Sequence, residues 1–325
     1  MKFVLSHPLD EAGMELLRKS NAEIYIANSA DSYSYLDEIK TADAFIIRVA
    51  KCDAAVMDAC PNLKVIGRTG VGFDSIDIVH ANKLGIPVVV TPGANNISVA
   101  EHVVALIFAL AKNLCEADAQ LRAGNWQVRD AHKTFELANR KIGIVGVGAI
   151  GREVARLCRG IGMKTAGLDT FCPENVEAAG CERYDDLNSL LRDCDVITLH
   201  SPLTPETRNM ITAKEFEIMK PGAMLINTSR GPIVNAQDLA DALNSGKIAC
   251  AGVDVFEEEP AERSDPVFSA KNMICTPHTA ALTNEGSARM AYMCVEGCLV
   301  VCNGGQWLKV ADKKVYEHPR FNGSV

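Results

Sequence analysis

The 325-residue sequence reads as an α/β protein built from two doubly wound parallel-sheet domains. Three observations carry that reading. Short β-rich runs alternate with amphipathic segments over nearly the whole length. A glycine fingerprint stands in mid-chain, so material of domain size precedes it. A long helical stretch from Ser98 separates the two αβ series.

In the first hundred residues the β-rich runs are 3–5, 24–26, 44–47, 64–66 and 87–90, with amphipathic segments such as 11–19 and 54–59 between them. This is a small parallel α/β unit with no glycine fingerprint of its own. Ser98-Val-Ala-Glu101 has the form of a capping box, and the apolar stretch behind it predicts one helix to about Leu121. Alternation then resumes, with strands expected at 142–145, 164–168, 196–199, 223–227, 249–253 and 273–276. Thr212-Ala-Lys-Glu215 and Asn235 mark helix starts, and Gly222 and Gly246 mark helix ends. A last helix is expected from about Asn284 to Cys302, followed by a polar tail. No second-domain sheet is left for that helix, so it is expected to return to the first domain. The division is then 1–97 with 284–325, and 98–283.

The fingerprint is Gly146, Gly148 and Gly151 after the strand 142–145. The first glycine permits a tight turn, the second lets a pyrophosphate approach the backbone, and the third lets the next helix pack close. Ala149 and Ile150 open that helix. Asp169 ends the next strand, where a carboxylate accepts hydrogen bonds from a ribose and repels a 2′-phosphate, so NAD is expected over NADP. Six strands with crossover helices match a Rossmann-type dinucleotide domain.

Composition narrows the classes. A net charge of −8 argues against a nucleic-acid or anionic-membrane surface. The twelve cysteines are scattered, with no C-x-x-C pair and no zinc spacing, so no metal is expected. Cys294, Cys298 and Cys302 recur every four residues and read as small packing residues on one helix face. The N-terminus lacks a signal-peptide pattern and the apolar run 103–111 is too short to span a bilayer, so a cytoplasmic setting is expected.

Three further residues follow three successive strands: Arg230, Glu259 and His278. Open α/β folds bind ligands at such carboxyl ends. Reduction of a 2-keto acid requires a cation for the carboxylate and carbonyl, an acid for the developing alkoxide, and a carboxylate to orient that acid. The sequence supplies one of each. Any one of them alone would read as an ordinary surface charge or a strand-end histidine.

The motif series resembles the D-isomer-specific 2-hydroxyacid dehydrogenase family. It comprises Gly67-Arg-Thr-Gly-Val-Gly-Phe-Asp74, Ser98-Val-Ala-Glu-His102, Gly143 to Gly151, His200-Ser-Pro-Leu-Thr-Pro-Glu-Thr-Arg208, Asn227-Thr-Ser-Arg-Gly231, Asp254-Val-Phe-Glu-Glu-Glu-Pro260 and Thr276-Pro-His278. The resemblance implies a Rossmann NAD domain plus a flavodoxin-like substrate domain, with the active site in the cleft between them. It implies that Arg230 binds substrate, Glu259 pairs with the histidine, and His278 is the acid/base. It further implies cofactor contacts from Ser201, Pro202, Thr207, Thr228, Ser229 and Asp254, the last at the nicotinamide carboxamide. Substrate contacts are implied at Arg48, Val71, Gly72 and Asn95. Val49 stands where a small polar residue is often found and Ala50 adds no cation, though Lys51 is close, which leaves phosphorylation of the substrate open. No regulatory domain follows Val325, so allosteric feedback by an amino acid is not expected.

The resulting expectation is an NAD-dependent enzyme interconverting a small 2-keto acid and a D-2-hydroxy acid. Candidate substrates are hydroxypyruvate or glyoxylate, 3-phosphoglycerate, and D-lactate-like acids. The alternative is an NAD-sensing, corepressor-like binding protein of the same fold. A formate-type dehydrogenase would have no use for the Glu-assisted acid. A homodimer is implied by resemblance, with the helix from Ser98 and the segment 126–135 as candidate interface.

Overall fold

The computed structural model describes residues 1–131 and 134–321. They form two compact units: Met1–Asn95 with the chain from Leu282 onward, and Asn96–Ala281.

The first unit holds five parallel strands: β1 (Lys2–Leu5), β2 (Glu23–Ile26), β3 (Ala44–Ile47), β4 (Val65–Arg68) and β5 (Val88–Val89). Their order is β2-β1-β3-β4-β5. β3 is Ala-Phe-Ile-Ile and wholly buried, as a parallel strand covered on both faces requires. The helix Asn284–Cys302 covers one face. Thr283 caps it, its hydroxyl accepting from the Gly286 amide. Cys294 and Cys298 are fully buried against β4, where Gly67 leaves them room; a Cβ at Gly67 would lie 2.7 Å from each sulfur. All the cysteines are free thiols. The expected polar tail is more ordered than its composition suggests. Val310 bridges Val89, and Val310 and Val315 are buried in the core of this unit.

The second unit holds seven parallel strands: β6 (Lys141–Val145), β7 (Lys164–Leu168), β8 (Glu182–Arg183), β9 (Val196–Leu199), β10 (Ala223–Asn227), β11 (Ile248–Val253) and β12 (Met273–Cys275). Their order is β12-β11-β10-β9-β6-β7-β8. Sequence reading expected six. The extra strand, β8, is two exposed residues at the edge, too short for periodicity to reveal. The Thr212 capping box and the Asn235 cap form as expected.

The long helix needs correction. It runs from Asn96 to Ala111, so Ser98 lies inside it rather than at the position before its first residue. It breaks at Asn113, in left-handed backbone, and a second helix, Leu114–Arg122, leaves at 58°. The break is held from outside: the Phe135 amide donates to the Ala111 carbonyl, and Lys112 Nζ donates to the Phe135 carbonyl. Sequence-distant partners of this kind leave no local signal. Among the described residues no single helix is long and apolar enough to cross a membrane.

Each unit has its own cores. In the second, one cluster lies on either side of the sheet, and the helix Asn96–Ala111 supplies Ala100, Val103, Leu106 and Ile107 to one of them.

Candidate active site

β6 runs into Gly146, whose φ of 89° makes the turn; a side chain there would also press on the His200 backbone. A Cβ on Gly151 would sit 2.3 Å from the Gly146 carbonyl oxygen, so the helix Ala149–Gly160 can approach the turn only with glycine there. Gly148 caps that helix and faces open space, with nothing within 4 Å of an added Cβ. The helix therefore presents its first amides, at Ala149 and Ile150, to an uncrowded surface suited to a pyrophosphate.

Asp169 follows β7. Its Oδ2 accepts from the Val147 amide, and its Oδ1 accepts from the amides of Phe171 and Cys172. These bonds orient the carboxylate and leave acceptor capacity on Oδ2 for a ribose hydroxyl. After β9, Ser201 and Pro202 begin a loop closed on itself by Thr207. The Thr207 hydroxyl donates to the Pro202 carbonyl and accepts from the Thr204 amide. Thr207 thus shapes the loop, its one proton already committed. The Thr228 hydroxyl, after β10, is buried and lacks a partner among the described residues. Such an orphan fits a group supplied by a bound cofactor.

Arg230 is set by Asn227, which is 1% exposed at the end of β10. The Asn227 side-chain Oδ1 accepts from the amide and hydroxyl of Ser229, and its side-chain Nδ2 donates to the Arg230 carbonyl. The next residue, Gly231, has no room for a side chain, since a Cβ would fall 2.0 Å from the Phe256 carbonyl carbon. The loop bearing Arg230 therefore lies directly on the loop that leads to Glu259.

His278 follows β12 with φ of 52°, an uncommon left-handed backbone for a non-glycine residue. Its amide donates to the Asp254 carbonyl. Its ring Nδ1 lies 2.6 Å from Glu259 Oε2, and the other Glu259 oxygen accepts from the Phe256 amide. Burial pushes the Glu259 carboxyl upward. The His278 hydrogen bond and charge, the Phe256 amide and Arg230 outweigh that and hold it below its usual value. The ionised carboxylate can only accept, so Nδ1 carries the proton of this bond and Nε2 is left for proton transfer.

Asp254 is 0% exposed. Its carboxylate accepts from the Thr276 hydroxyl and from the amides of Thr279 and Ala280. The second unit thus brings Arg230, Glu259 and His278 to the carboxyl ends of β10, β11 and β12. Asn227, Phe256, Thr276 and His102 stand within the motif stretches but carry no role in the sequence expectation. Only Asn227 had a local signal, its Asn-x-Ser spacing.

In the first unit, Arg48 is exposed at the end of β3, and Val71 and Gly72 lie in an exposed turn after β4. Asn95 is buried, with its side-chain oxygen unpartnered among the described residues. His7, after β1, is pushed down to about 3 by burial and by the charges of Arg48 and Arg68. Among the described residues no group of three or more His, Cys, Asp or Glu could hold a metal ion.

Residues 104–280 match the family model described as D-isomer specific 2-hydroxyacid dehydrogenase, NAD binding domain. A D-3-phosphoglycerate dehydrogenase of Archaeoglobus fulgidus is 36% identical over 94% of this chain, which spans only 58% of that relative's length. A glyoxylate reductase of Thermococcus litoralis is 37% identical, with 93% of this chain and 94% of the relative covered. The fold is similar to that of a solved NAD-dependent formate dehydrogenase from Staphylococcus aureus in complex with NAD. There the TM-score is 0.85 and the identity 26%, covering 97% of this chain and 98% of that one. The cofactor is NAD, and the glycine turn, Asp169 and the Thr228 hydroxyl are suited to hold it.

Proposed function

Because the chain belongs to the D-isomer specific 2-hydroxyacid dehydrogenase family, we propose that it reduces a small 2-keto acid to a D-2-hydroxy acid, reversibly. The observation that carries this reading is the 2.6 Å His278–Glu259 pair, with Arg230 close enough to lower the Glu259 pKa. When bound, NADH supplies the hydride to the substrate carbonyl carbon. Arg230 pairs with the substrate carboxylate and polarises the carbonyl. His278 delivers its Nε2 proton to the carbonyl oxygen, while Glu259 holds Nδ1 and steadies the ring through both protonation states. Oxidation of the hydroxy acid runs the same proton path in reverse.

Arg48, Val71, Gly72 and Asn95 are assigned to substrate binding by resemblance, and Ser201, Pro202, Ser229 and Asp254 to the cofactor side. The substrate is glyoxylate, hydroxypyruvate or its 3-phosphate, or a pyruvate-like acid. A formate-type oxidation protonates no alkoxide, so the paired histidine speaks against it. The proposal includes assembly as a homodimer and a cytoplasmic setting.

The test is NADH oxidation over that panel of keto acids. At least one should turn over to the D-product, with kcat/KM at least about tenfold lower for NADPH because Asp169 repels a 2′-phosphate. His278→Ala should lower kcat by about 10²–10⁴. Near wild-type turnover by that variant would sink the assignment.

A further inference from the structure

Asp254 carries a carboxylate fully removed from solvent, and three separate elements meet around it. It follows β11. Thr276 follows β12 and donates its hydroxyl proton to Asp254 Oδ1 at 2.5 Å. His102, from the helix Asn96–Ala111, places its Nε2 3.0 Å from the same hydroxyl oxygen and 3.8 Å from Asp254 Oδ1.

The hydrogen-bond chemistry fixes the direction of this chain. A hydroxyl has one proton, and Thr276 spends it on Asp254. Thr276 must then accept from His102, so His102 carries a proton on Nε2. The next links reach the acid/base. Asp254 accepts from the amides of Thr279 at 2.9 Å and Ala280 at 2.8 Å, and its own carbonyl accepts from the His278 amide at 2.8 Å. Asp254 thereby grips residues on both sides of the left-handed turn that bears His278. Within the turn the His278 amide also reaches the Thr276 carbonyl at 3.0 Å, but the amides of Thr279 and Ala280 are both spent on Asp254.

We infer that His102 and Thr276 are positioning residues for the acid/base, acting through Asp254 to hold the His278 turn where its ring meets Glu259. The role in turnover rests on the dehydrogenase reading above, whereas the role in holding the turn does not. It adds to the cofactor contact assigned to Asp254, because the carboxylate is occupied within the protein itself.

The experiment compares Thr276→Val, Thr276→Ser and His102→Leu with the parent protein. Valine matches threonine in shape and removes the hydroxyl; serine keeps the hydroxyl. The first readout is the proton resonance of the His278 Nδ1–H bonded to Glu259, far downfield for so short a bond. It should broaden or vanish in Thr276→Val, weaken in His102→Leu, and persist in Thr276→Ser. The second readout is the kinetic split. In Thr276→Val, kcat should fall about tenfold, with KM for NADH and keto acid changed less than twofold, and Thr276→Ser should recover most of it. His102→Leu leaves the Thr276, Thr279 and Ala280 donors of Asp254 in place and decides the matter if Thr276→Val does not fold. Folded variants that keep the resonance and kcat within twofold of the parent would overturn the inference. If the parent turned over no keto acid, the resonance would still decide whether the chain holds His278, and only the activity reading would fail.

Discussion

His200 shows how one side chain can set a pH limit for the protein. It follows β9 beneath the Gly146 turn, its Nε2 2.9 Å from the Thr198 hydroxyl. Burial pushes its pKa from 6.5 down to about 4. His7 in the other unit is pushed to about 3 by burial, with Arg48 and Arg68 adding to it. Both folded-state values lie below the unfolded one, so the stability that the neutral rings contribute is complete above pH 6.5. It is lost as pH falls below that value, because the unfolded chain takes up protons that the folded chain refuses. At pH 5 each ring should cost on the order of 1–2 kcal/mol. Denaturant titrations should show stability falling from pH 7 to pH 5, and His200→Asn should remove part of that slope. A slope unchanged by the substitution would place the pH limit elsewhere.

The packing of β4 against the helix Asn284–Cys302 depends on the absence of one methyl group. Gly67 meets Cys294 Sγ and Cys298 Sγ at 2.7 Å and Ile46 Cγ1 at 3.0 Å, measured to an added Cβ. Interiors packed at crystal density do not absorb such a group without backbone movement. Gly67→Ala should therefore cost about 1–3 kcal/mol, read as a lower midpoint in thermal or denaturant unfolding. Cys298→Ala in the same chain should recover part of the loss, since it removes one of the two sulfurs in the way. Additive losses in the double variant would show that the two sites do not share this space. The same contact accounts for Cys294 and Cys298 of the four-residue cysteine spacing, which is legible as packing.

The helix Leu114–Arg122 raises the question of assembly. None of its nine residues is buried, yet Leu114 is 54% and Leu121 51% exposed, and nearby Trp126 is 63% exposed. A helix of two and a half turns is marginal in water unless an apolar face is covered. A second copy of the chain is the proposed cover. Part of the candidate interface segment, residues 132 and 133, lies outside the described residues. Light scattering after size exclusion should give twice 35.0 kDa, and Leu121→Asp with Trp126→Ser should shift the mass toward that of one chain. A single-chain mass for the parent protein at micromolar concentration would refute the homodimer.

All strands but β8, most helix ends, the glycine turn and the order Arg230, Glu259, His278 were legible in the amino-acid pattern. Each rests on local rules: period-two or buried β runs, capping residues, and the demand for glycine at a tight turn. The residues that hold the site in place were not. The Gly231 contact with Phe256 and the His102–Thr276–Asp254 chain join residues up to 174 positions apart. The same holds for the break at Asn113, fixed by Phe135, and for the tail that fills a core despite its polar composition. The chain pattern determined which side chains are candidates for the proposed chemistry, because that depends on residue type and on which strand each one follows. Folding alone decided how those side chains are aimed, because hydrogen bonds and packing between distant segments exist only once the sheet has brought its strand ends together.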